Sequence, residues 1–197
     1  MSAAKAAVGV LTGLLLVGGT VSTLGQLTSE EVREQARADL PAQGVLVVES
    51  ATGDVTVRTA DDAARAEAVG TVTRGWHRPA WGFREEGGRL VFASSCAGVG
   101  WPSPCHGEWT VTVPAGTRVE VRSEAGDLTF EGRFAAVTAS TTAGDVAVRV
   151  PDDGTAYRVT GRSLLGDRDV DVPVADGDAA PRLDLTTTGG DVTVATS

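Results

Sequence analysis

The sequence predicts an all-β body of stacked strand repeats, preceded by a transmembrane helix and a short stalk. Three observations carry this expectation. Gly-Asp followed by alternating Val returns as SATGDVTVRT, SEAGDLTFEG, TTAGDVAVRV and TTGGDVTVAT. Beyond Pro41, apolar and polar residues alternate in short runs cut by Gly, Asp and Pro, the period-two pattern of strands with one buried face. Residues 6–27, AAVGVLTGLLLVGGTVSTLGQL, carry no charge at all.

That uncharged run is long enough for a span. At about 1.5 Å per residue it makes roughly 33 Å of helix, against a bilayer core of about 30 Å. A cleaved signal peptide is the alternative, with VGVLTGLLLV as its apolar centre and Thr20 and Ser22 before the cut. Lys5 lies before the run and TSEEVREQARADLP after it, which places residues 1–5 in the cytoplasm and the remainder outside. The expected localisation is therefore the cell membrane, single-pass, with an extracytoplasmic C-terminal domain. Residues 28–43 are rich in Glu, Arg, Gln and Ala and stop near Pro41, so they read as a juxtamembrane stalk.

Residues 44–197 form the predicted β-strand domain. Its alternating runs are GVLVVE, DVTVRT, RLVFAS, EWTVTV, TRVEVRS, DLTFEG, DVAVRV, AYRVTG, DVDVPV, RLDLTT and DVTVAT. Among the Gly-Asp pairs are those beginning at Gly53, Gly126, Gly144, Gly166 and Gly190, the last four of these separated by 18, 22 and 24 residues. Spacings of about 20 to 50 residues suggest units that each bury an apolar side on the next. Gly supplies a positive φ at a corner and Asp bonds nearby backbone, so Gly53, Asp54, Gly126, Asp127, Gly144, Asp145, Gly190 and Asp191 read as structural turns rather than ligands. In DRDVDV, residues 167–172, Val172 stands where a calcium loop of the EF-hand type needs Gly, so Asp167, Asp169 and Asp171 read as the wet face of a strand.

Composition narrows the partners. A net charge of -9, with Lys5 as the single lysine, argues against a nucleic-acid surface. The absence of Asn removes any N-glycosylation acceptor.

The segment CHGEWTVTVPAGTRVEVRSEAGDLTFEGRFAAVTASTTAGDVAVRV, residues 105–150, resembles the bacterial putative adhesin family of β-strand repeat proteins, in its membrane-anchored actinobacterial form. Val113, Pro114 and Gly116 match its V-P-x-G mark. Gly126, Asp127, Gly144, Asp145, Gly190 and Asp191 match its Ser/Thr-x-x-G-D-V repeats. The resemblance spans residue 44 to the end and implies a parallel, solenoid-like stack of β-strands outside the cytoplasmic membrane. Between Arg58 and Gly107 the repeat phrase gives way to an aromatic insert, and no functional residue carries over there.

Cys96 and Cys105 enclose AGVGWPSP, a loop that can bring its ends together, and outside the membrane an even pair of this kind reads as a disulfide. Closing about ten residues stabilises by roughly 2.7 kcal/mol in the chain-entropy model. A metal site of Cys96, Cys105, His106 and His77 is the alternative, but it lacks the close ligand pairs of zinc ribbons. All four tryptophans fall within 34 residues. Trp76, Arg78, Trp81 and Trp101 make a candidate contact patch for a glycan or peptide, against the plainer reading of a hydrophobic cap sealing one end of the stack. GRSLLG lacks the second Gly of a nucleophile elbow, and no P-loop or H-E-x-x-H occurs. The expectation is a non-enzymatic module for adhesion, scaffolding or envelope-stress interaction, without catalytic residue, metal or cofactor. Its partners would be the membrane through its own helix, and cell-wall glycan or another envelope protein. A glycan-cleaving β-helical enzyme of the polysaccharide lyase type is the alternative.

Overall fold

The computed structural model describes residues 30–41, 44–74, 80–95 and 106–197. Fifteen strands occur among them. β1 (Glu30–Ala38) precedes a first coil, in which β2 (Val45–Thr52) turns at Gly53-Asp54 into β3 (Val55–Ala60). β4 (Ala66–Arg74) and β5 (Ala80–Glu86) follow, then β6 (Arg89–Ser95) and β7 (His106–Pro114). Four further coils pair β8 (Arg118–Ala125) with β9 (Leu128–Glu131), β10 (Ala136–Ala143) with β11 (Val146–Val150), β12 (Arg158–Ser163) with β13 (Arg168–Asp171), and β14 (Arg182–Gly189) with β15 (Val192–Thr196).

The first strand of each coil joins a seven-stranded sheet in the order β12-β14-β10-β8-β2-β6-β5. The second joins an eight-stranded sheet in the order β1-β4-β7-β3-β9-β11-β15-β13. Between the sheets, alternate residues interdigitate in rows. Val111, Val57, Phe130, Val148 and Val194 are register partners in turn, and all are buried. Leu46, Val119, Val137 and Leu183 form the facing row. Each such side chain contributes about 1.5–3 kcal/mol by leaving water, so the core is a sum of small, equivalent layers.

Two expectations are corrected. The fold is all-β, but the sheets are mixed rather than a uniformly parallel, solenoid-like stack. β4 runs antiparallel to both β1 and β7, and β5 antiparallel to β6. The described residues contain no helix, and none there is long and apolar enough to cross a membrane, so the transmembrane helix and the single-pass topology are withdrawn. Residues 6–27 themselves lie outside the described residues. Within the expected stalk, residues 30–38 are strand β1. Helix propensity loses there to pairing, because Val32, Ala36 and Ala38 alternate toward the core opposite Val72, Ala68 and Ala66.

Chain order and stacking order also differ. β12 and β13 end the stack, while β14 and β15 enter between them and β10 and β11. Successive repeats are therefore not always neighbours.

Candidate binding surface

The site is built from the corners outward. At Gly126 the backbone takes φ +129°, and at Gly144 φ +133°, conformations costly for any residue with a Cβ. Space forbids one as well, since a methyl on Gly126 would collide with the Gly53 carbonyl, and one on Gly144 with that of Gly126. Gly190 packs in the same way on Gly144, and Gly166 on Gly190, so the corners nest. Beside them the Asp carboxylates form a column. Asp54, Asp127, Asp145 and Asp191 each accept, through Oδ1, a hydrogen bond of 2.8–2.9 Å from the backbone N–H of the Asp on the next coil, ending at Asp167. The carboxylates are thus engaged in tying coil to coil.

At three corners the Ser or Thr three residues before the Gly completes the corner from inside. Thr187 Oγ1 donates to the Gly144 carbonyl at 2.8 Å, Ser163 Oγ to that of Gly190 at 2.7 Å, and Thr141 Oγ1 to that of Gly126 at 3.4 Å. Hydroxyl, glycine and carboxylate therefore form one unit, which explains the whole phrase Ser/Thr-x-x-G-D. Two corners depart from it: Ser123 Oγ donates to the Ala125 carbonyl at 3.3 Å, and the buried Ser50 hydroxyl has no hydrogen-bond partner.

On the other side of Gly53 the corner continues under a disguise. Val55 is paired with Trp109, so Gly107 and Glu108 occupy the Gly-Asp positions of the adjacent coil. The signal was present as GEWTVTV and was hidden by Glu for Asp and Trp for Val. Trp109 is buried, donates from Nε1 to Ser94 Oγ at 3.0 Å, and lies across Gly70, whose missing side chain leaves room for the indole. Trp81 packs on it with ring centroids 5.1 Å apart, and Phe92 does so at 4.9 Å. Trp81 thus lies partly buried against the core. Trp76, Arg78, Trp101, Cys96 and Cys105 lie outside the described residues, so the rest of the patch and the disulfide stand as expectations.

Above this aromatic end, the outer face of the eight-stranded sheet carries an open groove of about 500 Å³. Arg33, Asp54, Thr56, Thr71, Glu108 and Thr110 present polar groups to it. Sequence reasoning missed Arg33 and Thr71 because β1 and β4 were not read as strands, and Glu108 because Glu stands there in place of Asp. The next row of the face is an alternating ionic ladder, with Arg37–Glu67 at 2.9 Å, Arg58–Glu131 at 2.7 Å and Arg149–Glu131 at 3.5 Å. Hydrogen bonds from Gln35 and Arg37 hold the Glu67 carboxyl below its ordinary value. The groove offers hydrogen bonds and two carboxylates beside a guanidinium. Among the described residues, no group of three or more His, Cys, Asp and Glu is placed to hold a metal ion.

No family model matches the chain, and no curated protein does. Among solved structures it is similar to a protein described as a putative cell adhesion protein from Clostridium sporogenes ATCC 15579, at a TM-score of 0.60 and 6% identity, over 85% of this chain and 100% of that one. Likeness at that identity is a likeness of fold, and it joins the nested corners and mixed sheets to an architecture already seen in a solved protein.

Proposed function

We propose that the chain is a non-enzymatic binding module of the adhesion or scaffolding kind, working outside the cytoplasm. The observation that carries this is the groove on the eight-stranded sheet, where Arg33, Glu108, Thr56 and Thr110 offer a fixed set of donors and acceptors on paired strands. Such a face suits a hydrogen-bonding partner held by many modest contacts, as cell-wall glycan or an extended segment of an envelope protein would be. The adhesion description of the structural neighbour supports the same class. The envelope-stress role and a contact patch of Trp76, Arg78, Trp81 and Trp101 belong to this reading as further proposals, separate from the groove.

The test is retention on purified cell-wall material. The wild-type chain should be retained, and Thr110→Arg, which fills the groove from an outward strand position, should weaken retention about tenfold or more while the melting temperature stays close to wild type. Equal retention of the two folded proteins would remove the groove from the reading. Release of soluble oligosaccharide during incubation would replace the binding module by a glycan-cleaving enzyme.

A further inference from the structure

The two ends of the stack differ, and they match each other. At one end β13 and β12 are the last strands of their sheets, and at the other β1 and β5 are, among the described residues. Unpaired edges of this kind are reactive unless covered. The end coil is also where apolar surface is left in water. Leu164 and Leu165, between β12 and β13, are 74% and 75% exposed, and Val174 just beyond β13 is 61% exposed. Among the described residues these are the exposed large hydrophobics, and they sit on one coil.

Charge says what covers that coil. Following register partners across the eight-stranded sheet, Arg168 shares a row with Val192, Val146, Leu128, Val55, Trp109, Gly70 and, at the far edge, Glu34. Asp169 shares a row that ends at Gln35, Val170 one that ends at Ala36, and Asp171 one that ends at Arg37. One place earlier, Asp167 stands in the row of Arg33. β1 and β13 run in the same direction, because two antiparallel pairings separate β1 from the parallel strands. If a second copy continues the stack by simple repetition, β13 therefore meets β1 in parallel, as Asp167 with Arg33, Arg168 with Glu34, Asp169 with Gln35, Val170 with Ala36 and Asp171 with Arg37.

The seven-stranded sheet is one strand shorter, so with β13 seated on β1 its edges β12 and β5 do not meet, and the contact is carried by the eight-stranded sheet. The corner column points the same way: Asp167 donates its N–H to Asp191 at 2.8 Å, as each Asp before it does to its neighbour, and its own carboxylate is the next rung. A two-fold pairing of β13 with itself, Val170 opposite Val170, would instead set Asp169 against Asp171. The edge is thus arranged to refuse its own kind and to accept β1.

We propose that the chain stacks head to tail with further copies of itself, the acidic β13 edge of one copy seated on the Arg33 and Arg37 edge of the next. The contact is heterologous, so it leaves a free end at each step and builds open rows rather than closed rings. This proposal does not depend on what the groove binds.

Sedimentation of the full chain over a range of concentrations at low salt tests it. The wild type should form species that lengthen with concentration and shorten as salt is raised. The double reversal Asp167→Arg with Asp171→Arg should weaken association about a hundredfold or more, as should Arg33→Asp with Arg37→Asp. A mixture of the two reversed proteins should associate again, since each then presents the edge the other needs. Circular dichroism and melting establish that both fold. If a reversal unfolds the chain, Asp167→Asn with Asp171→Asn replaces it and should weaken association more mildly. A wild type that stays monomeric at every concentration overturns the proposal, including one whose β13 edge captures an arginine-bearing strand of another protein instead. Association untouched by the substitutions, or folded variants that fail to rejoin on mixing, overturns it equally.

Discussion

Gly126 concentrates what a single residue does in this molecule. Its φ of +129° disfavours a side chain, and the Gly53 carbonyl fills the space a methyl would need. Gly126→Ala should cost about 3 kcal/mol or more, from backbone strain and displacement of a neighbouring coil together. Denaturant unfolding of the variant measures it, and a loss under about 1 kcal/mol would mean that the corner can relax. Tyr157 is the one tyrosine, and it is buried. Burial first, and then the Asp153 carboxylate, raise its phenol above the ordinary 10.0, with Arg133 opposing. The folded chain thus holds this proton more tightly than the unfolded chain. The associated stability is intact below the ordinary value and is lost as pH rises through the folded one. An alkaline absorbance titration should show phenolate appearing later in the native protein than in denaturant; coincident curves would count against the burial argument. At this scale the sequence was legible wherever a residue is required by backbone geometry. Gly53, Gly126, Gly144 and Gly190 announce their corners, whereas Glu108 at an equivalent corner does not, because identity is freer where only an acceptor on the outside is needed.

Elements were legible in proportion to how strongly their inward positions are apolar. Each of the eleven alternating runs contains a strand, from Leu46, Val47 and Val48 in β2 to Val192 and Val194 in β15. Four strands escaped. β10 turns Val137, Ala139 and Thr141 inward, and β4 turns Ala66, Ala68, Gly70 and Val72 inward, so their buried faces are too small to stand out in a hydrophobic pattern. β1 carries helix formers, and β5 lies in the aromatic insert. What these strands lack in bulk is supplied from elsewhere, chiefly by Trp109 lying over Gly70. Trp109→Ala should therefore cost about 3–5 kcal/mol, the usual range for deleting a buried aromatic ring. It should loosen β4 and β5 before the parallel coils, which hydrogen exchange resolved by segment would reveal. Uniform loss of protection along the chain would show that the two parts do not open separately.

At the level of the whole molecule, the outline and the order of assembly separate. Stacked repeats could be read from spacing, but their arrangement could not, since a parallel coil pairs equally well with any coil of matching register. The antiparallel strands were invisible for the same reason: direction leaves no mark on a period of two. The candidate groove inherits that blindness, because it joins β1 and β4 to β7 and β3, strands far apart in the chain that meet only through pairing. The self-association argued above rests on this same scale, for only with the whole row order known do Asp171 and Arg37 become the two ends of one line.

The late coil has a bearing on how the protein comes into being. Arg182–Gly189 and Val192–Thr196 occupy a berth between segments synthesised earlier, with β10 and β11 on one flank and β12 and β13 on the other. During translation that berth is vacant, and two raw margins wait for a wedge that emerges from the ribosome after both. Completion is thus an act of insertion, and until it happens β12 and β13 lack the strands they pair with.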